Sequence, residues 1–98
     1  MNRDDTDQLL RKYGRDGVAL IREFLTAAEV ADVRTEIDRY MREDLDSKPA
    51  DAATREADGR TVRNLWRLEQ HNPYLREIAE RPEIFELIAP LVNGVPVL

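Results

Sequence analysis

Apolar residues along the chain fall into short blocks with distinct periods, and these blocks predict the elements. Leu9, Leu10 and Tyr13 form a narrow stripe that predicts a first helix from near Asp5 or Thr6 to Gly14, with Gly14 as the residue just past its end. Asp5 and Asp7 near its start and Arg11 and Lys12 near its end suit the helix dipole. Asp16-Gly17 signals a turn, and Val18 to Ile21 is too short for a helix and rich enough in branched residues to predict a buried strand over 18–22. Thr26 followed by Glu29 forms a capping box, with Leu25 and Val30 placed for a hydrophobic staple. Behind that cap, Val30, Val33, Ile37, Tyr40 and Met41 recur on one face and predict a helix from Ala27 to Arg42.

Periodicity then fails over residues 43–59, where Ser47, Lys48 and Pro49 break any helix and the rest is mostly Asp, Glu, Ala and Thr. The expectation is a polar loop, either a lid over a substrate site or a solvated connection, with a short helical turn possible within the Ala-rich residues 50–57. Alternation returns at Arg60 to Leu68 and predicts a strand with Val62, Asn64, Trp66 and Leu68 facing inward and Thr61, Arg63, Leu65 and Arg67 facing outward. Asn72-Pro73 is an N-cap and first-position pair opening a short helix through Tyr74, Leu75 and Ile78. Pro82 starts the next helix, in which Ile84, Leu87, Ile88 and Leu91 share a face. Pro90 should end it near Ala89, and Asn93-Gly94 turns the chain into a strand over Val95 to Leu98.

Composition narrows the function classes. Ninety-eight residues make one small domain with a modest core. There is no cysteine, so disulfides and thiolate metal sites are excluded. The net charge of −5, with signs mixed along the chain, argues against nucleic acid as a partner. No apolar run is long enough for a membrane span and the first residues carry no secretion signal, so a cytoplasmic protein without a membrane partner is expected.

Several of these blocks, in their order, resemble the opening of the phytanoyl-CoA dioxygenase family of iron(II)/2-oxoglutarate oxygenases. They are Tyr13-Gly14-Arg15-Asp16-Gly17-Val18, Phe24-Leu25-Thr26 with Glu29-Val30, Val62-Arg63-Asn64-Leu65-Trp66, and the run from Asn72-Pro73-Tyr74 through Pro82 to Ala89-Pro90-Leu91. The resemblance covers most of the chain except 43–59. It implies a jelly roll (double-stranded β-helix) in which a His-x-Asp pair and a later His bind iron(II), a basic residue holds 2-oxoglutarate, and a small organic substrate is hydroxylated or otherwise oxidised.

None of those ligands is assignable here. His71 is the only histidine and is followed by Asn72-Pro73. Three candidate strands do not close a jelly roll, which takes about eight. The expected fold class is therefore α+β: N-terminal helices and about three strands of an incomplete jelly roll. Residues 1–98 would form the N-terminal portion of one dioxygenase domain, inactive alone, binding neither iron(II) nor 2-oxoglutarate without a complementing C-terminal segment or chain. A non-catalytic, mostly helical interaction module and one chain of a split oxygenase are the competing expectations.

For contact with substrate the candidates are Asn64 and Trp66, an inward amide beside an indole, and Arg63, a possible carboxylate partner. Against them, inward strand residues commonly only pack, and Arg63 and Arg67 on an exposed face commonly form weak surface pairs. His71 reads as a solvated or helix-capping residue, because no nearby spacing supplies further metal ligands. The carboxylates at Asp4-Asp5, Asp32, Glu36, Asp44 and Asp46 fall on polar faces or loops, where no desolvated acid or base is placed for proton transfer.

Overall fold

The computed structural model describes residues 3–97 as helices with one two-stranded antiparallel sheet, an α+β composition. The chain divides into two compact units: one holds the residues up to Phe24 and from Glu80 on, the other Leu25–Ala79.

In the first unit α1 (Arg3–Asp16) packs against α5 (Pro82–Val92), and Leu9 is its buried apolar residue. α1 runs two residues beyond Gly14. Its end is set by Gly17, whose φ of +74° takes the left-handed position and whose N–H donates to the Tyr13 carbonyl at 2.8 Å. Gly14 is accommodated inside the helix, and Asp16-Gly17 is the turn that the sequence announced.

The strand expected over 18–22 does not form. Val18 and Leu20 are largely exposed and the segment has no ladder partner among the described residues; branched residues favour extended backbone, but only pairing makes a strand. Val95 to Val97 are likewise irregular, with Val95 and Val97 exposed, and Leu98 lies outside the described residues. Pro90 does not stop α5, which continues to Val92. There Asn93 adopts φ +53°, and the Asn93 and Gly94 N–H groups both return to the Ala89 carbonyl. A proline in the last turn removes only one bond of a ladder that is about to end.

The second unit opens with α2 (Ala27–Arg39). Its capping box is complete: the Glu29 N–H donates to Thr26 Oγ1, and the Thr26 N–H donates to Glu29 Oε1, both at 3.1 Å. The expected helix to Arg42 changes character at Tyr40. A π turn covers Tyr40–Asp44, closed by the Leu45 N–H donating to the Tyr40 carbonyl, and a 3-10 turn follows at Leu45–Ser47. Residues five apart stand about 140° apart on an α-helix. The wider π turn brings Tyr40 and Leu45 closer to one face, and both are buried.

The stretch expected to be a polar loop, with room for a short helical turn within 50–57, supplies much of this unit. Leu45 and Ala52 are buried with Tyr40, a second 3-10 turn spans Ala50–Ala52, and β1 occupies Ala53–Arg55. β1 pairs antiparallel with β2 (Val62–Leu65), matching Ala53 to Leu65, Thr54 to Asn64 and Arg55 to Val62. Arg63 is thus the extra residue of a bulge on β2. The bulge resets the alternation. Val62 and Leu65, three apart, both pack on the Tyr40–Leu45–Ala52 core with Met41, Ala53 and Leu68. Asn64 and Trp66, expected to face inward, are exposed instead.

Arg67, at φ +53°, turns the chain into α3 (Leu68–His71), and α4 (Pro73–Ala79) follows. Asn72 caps α4 as the sequence indicates: its Oδ1 accepts the Leu75 N–H at 3.0 Å.

Candidate functional site

The three residues singled out for substrate contact lie on or beside β2. Arg63 sits on the bulge, exposed, and forms no ion pair with a described residue. Asn64 is exposed opposite Thr54. Trp66 is 47% exposed, its indole N–H donating to Thr54 Oγ1 at 2.7 Å and its backbone N–H to the Ala52 carbonyl at 2.8 Å. Asn64 and Trp66, two apart, share the side of the hairpin turned away from Leu65. Beside them Arg67 reaches back to Asp51, with Nη2 at 2.7 Å from Oδ2 and 3.0 Å from the backbone oxygen. That tie, to an exposed carboxylate, joins the end of the ribbon to the turn that precedes β1. Together these residues make a polar and aromatic surface, suited to stacking and hydrogen bonding with a ligand and holding no poised acid or base.

A second cluster lies along α2 and the π turn that follows it, and was not legible as a site. Arg39 is its hub: Nη2 lies 2.6 Å from Glu36 Oε1 and 2.9 Å from Asp44 Oδ2, and Nη1 lies 3.2 Å from Glu43 Oε2. Buried Asn72 joins it by donating from Nδ2 to Glu36 Oε1 at 3.1 Å. The Arg39 guanidinium, and after it the Asn72 amide, hold the Glu36 carboxyl below the usual carboxylate range. The same three carboxylates raise Arg39, which stays charged at any pH of interest. Tyr40 lies at the head of the π turn, with a fully buried side chain whose hydroxyl has no hydrogen-bond partner among the described residues. Burial, and then the charge of Asp44, push its phenol up. His71 is partly buried rather than solvated, and its Nε2 is sealed from solvent without a hydrogen-bond partner among the described residues. The helical spacing of Glu36, Arg39, Tyr40 and Glu43 was visible beforehand. The bond from Asn72, 36 residues away, was not.

Acid should weaken this unit. Glu36 and Asp58 are both held below their ordinary values, Asp58 by the Thr61 hydroxyl and then the N–H groups of Arg60 and Thr61. A depressed carboxyl contributes stability that is fully present above the unfolded-state value of about 4 and is lost as pH falls through the lower folded value. Urea midpoints should therefore stay level between about pH 5 and pH 8 and drop below about pH 4. Glu36→Gln and Asp58→Asn should each lower the neutral-pH midpoint and flatten that drop.

Each unit also carries an open groove. In the first unit one of about 360 Å³ is bounded by Thr6, Ile21, Phe24, Glu83, Glu86 and Leu87, among others. In the second, one of about 480 Å³ is lined by Leu45, Asp46, Lys48, Pro49, Ala50, Ala53 and Arg55. Among the described residues no three His, Cys, Asp or Glu side chains are grouped to hold a metal ion, and no helix is long and apolar enough to cross a membrane. Comparison with family models, curated proteins and solved structures finds no match.

Proposed function

We propose that this chain forms the N-terminal part of an iron(II)/2-oxoglutarate-dependent oxygenase of the phytanoyl-CoA dioxygenase type, acting on an aliphatic C–H bond of a small organic substrate. The observation that carries the reading is the order of the resembling blocks together with the local structure found at them. Phe24-Leu25-Thr26 leads into a complete capping box and an amphipathic helix, and Val62 to Leu65 is a strand. A two-stranded ribbon with both outer edges unpaired among the described residues also suits a place in a larger sheet, the jelly roll of this reading.

The described residues do not form a ligand set for iron, so the reading assigns metal and 2-oxoglutarate binding to residues outside 3–97. Left to this chain are a buttressing helix and a ribbon whose outward face presents Asn64 and Trp66, with Arg63 at the bulge, to substrate. A second reading, a protein-interaction module, draws on the exposed Val18, Leu20, Val95 and Val97 side chains, which a partner would cover.

Succinate release from 2-oxoglutarate tests the oxygenase reading, measured on the chain alone and on the chain produced together with the reading frame that adjoins it. Background release from the first and turnover by the second, carried by a His-x-Asp in the adjoining frame, is the expected result. Trp66→Ala should then cut substrate-dependent turnover by about tenfold or more. An adjoining frame without a His-x-Asp, or without turnover, would sink the reading.

A further inference from the structure

The groove of the second unit lies on the stretch that sequence patterning left blank, and its lining is divided. Leu45, which is buried, and half-buried Ala53 form an apolar floor with Pro49 and Ala50. Lys48 and Arg55 bring two positive charges to the same groove of a chain whose net charge is −5. Lys48 is half-buried and forms no ion pair with a described residue. Arg55 has one contact to a carboxylate, Nη2 to Asp46 Oδ1 at 3.4 Å, and the Asp46 side chain is 93% exposed. A contact that long to a carboxylate standing in water leaves most of the guanidinium's five donors unused.

We propose that this groove binds a small organic monocarboxylate, its anion held by Lys48 and Arg55 and its apolar body lying on Leu45, Pro49, Ala50 and Ala53. Charge balance selects the class. Two cations and one carboxylate leave a net charge of +1 around the groove, which one negative charge neutralises, whereas a dianion would meet repulsion from Asp46 without compensation. The apolar floor selects against bare inorganic anions, since it rewards only a ligand with a hydrocarbon body. Arginine supplies the planar fork that suits a carboxylate, and the lysine ammonium adds a point charge. The proposal rests on the groove alone and does not depend on the oxygenase reading.

The probe is benzoate, titrated into the full chain carrying ¹⁵N, with benzyl alcohol and inorganic phosphate as comparators. Benzoate should move the amide signals of Leu45, Lys48, Ala50, Ala53 and Arg55 in a saturable manner. Benzyl alcohol should bind the same residues more weakly, and phosphate should not saturate them. Lys48→Met and Arg55→Met should each weaken benzoate about fivefold, and Asp46→Asn, at a side chain exposed enough to leave the fold intact, should tighten it about twofold. Raising salt should weaken benzoate and leave benzyl alcohol unchanged. The proposal fails if benzyl alcohol binds as tightly as benzoate, if phosphate saturates the same residues, if the shifts fall elsewhere, or if Asp46→Asn leaves affinity unchanged or lowers it. Because the readout is binding to this chain, its failure is separate from any failure to find 2-oxoglutarate turnover.

Discussion

Tyr40→Ala should abolish the cooperative unfolding transition of the unit that Trp66 reports. Trp66 is the only tryptophan of the chain and lies in the second unit, so its fluorescence follows that unit in urea. Truncating a fully buried aromatic costs about 3–5 kcal/mol. Stability runs at about 0.05–0.15 kcal/mol per residue, so a unit of this size has only a few kcal/mol to lose. The side chain removed is the largest fully buried one among the described residues, and the cluster of Leu45 and Ala52, on which Val62 and Leu65 pack, loses its largest member. Tyr40→Phe should act in the opposite direction. A buried hydroxyl without a partner carries an uncompensated desolvation cost, and its removal should raise stability by about 1 kcal/mol, seen as a higher urea midpoint. A lower midpoint for Tyr40→Phe would show that the hydroxyl is bonded after all.

Asn72→Ala should cost about 2 kcal/mol, because one side chain meets two demands. Its oxygen caps α4 through the Leu75 N–H, and its amide nitrogen donates to Glu36. Asn72→Asp separates the two. The cap is retained, while a carboxylate replaces the amide beside Glu36, so at neutral pH this variant should be less stable than Asn72→Ala. Protonation relieves the repulsion, so its deficit relative to the parent chain should shrink below about pH 4. If Asn72→Asp matched the parent at pH 7, the contact with Glu36 would contribute nothing.

The features legible in the sequence are those decided within about four residues. The Thr26–Glu29 capping box, the Asn72 cap and the turns at Asp16-Gly17 and Asn93-Gly94 each depend on a donor and an acceptor close in the chain, and each forms. Features that depend on a distant partner were not legible. Val18 to Ile21 has the composition of a strand, yet no described segment pairs with it. Alternation alone gives the wrong face of β2, because its partner β1 lies in the aperiodic stretch and only the pairing reveals the extra residue at Arg63. Pro90 does not stop α5, because it lies in the last turn and the C-terminal cap at Asn93 decides the end.

The candidate site divides in the same way. Asn64, Trp66 and Arg63 do come together on or beside one ribbon, but outward, so their neighbours are Thr54 and solvent rather than core. Lys48 and Arg55 lie in 43–59, where no period marks a face. The useful signal was two cations flanking Pro49, Ala50 and Ala53.

The bulge at Arg63 also bears on how readily this chain can pair with copies of itself. A flat two-stranded ribbon with free edges is a template on which further copies add strand by strand. An extra residue carrying a long cationic side chain twists that edge and breaks the regular spacing of its donors and acceptors, so the identical bulged strand of a second copy is a poor match for it. Closing the bulge by deleting Arg63 would straighten the ribbon, remove that charge and leave an edge prone to stacking into fibres.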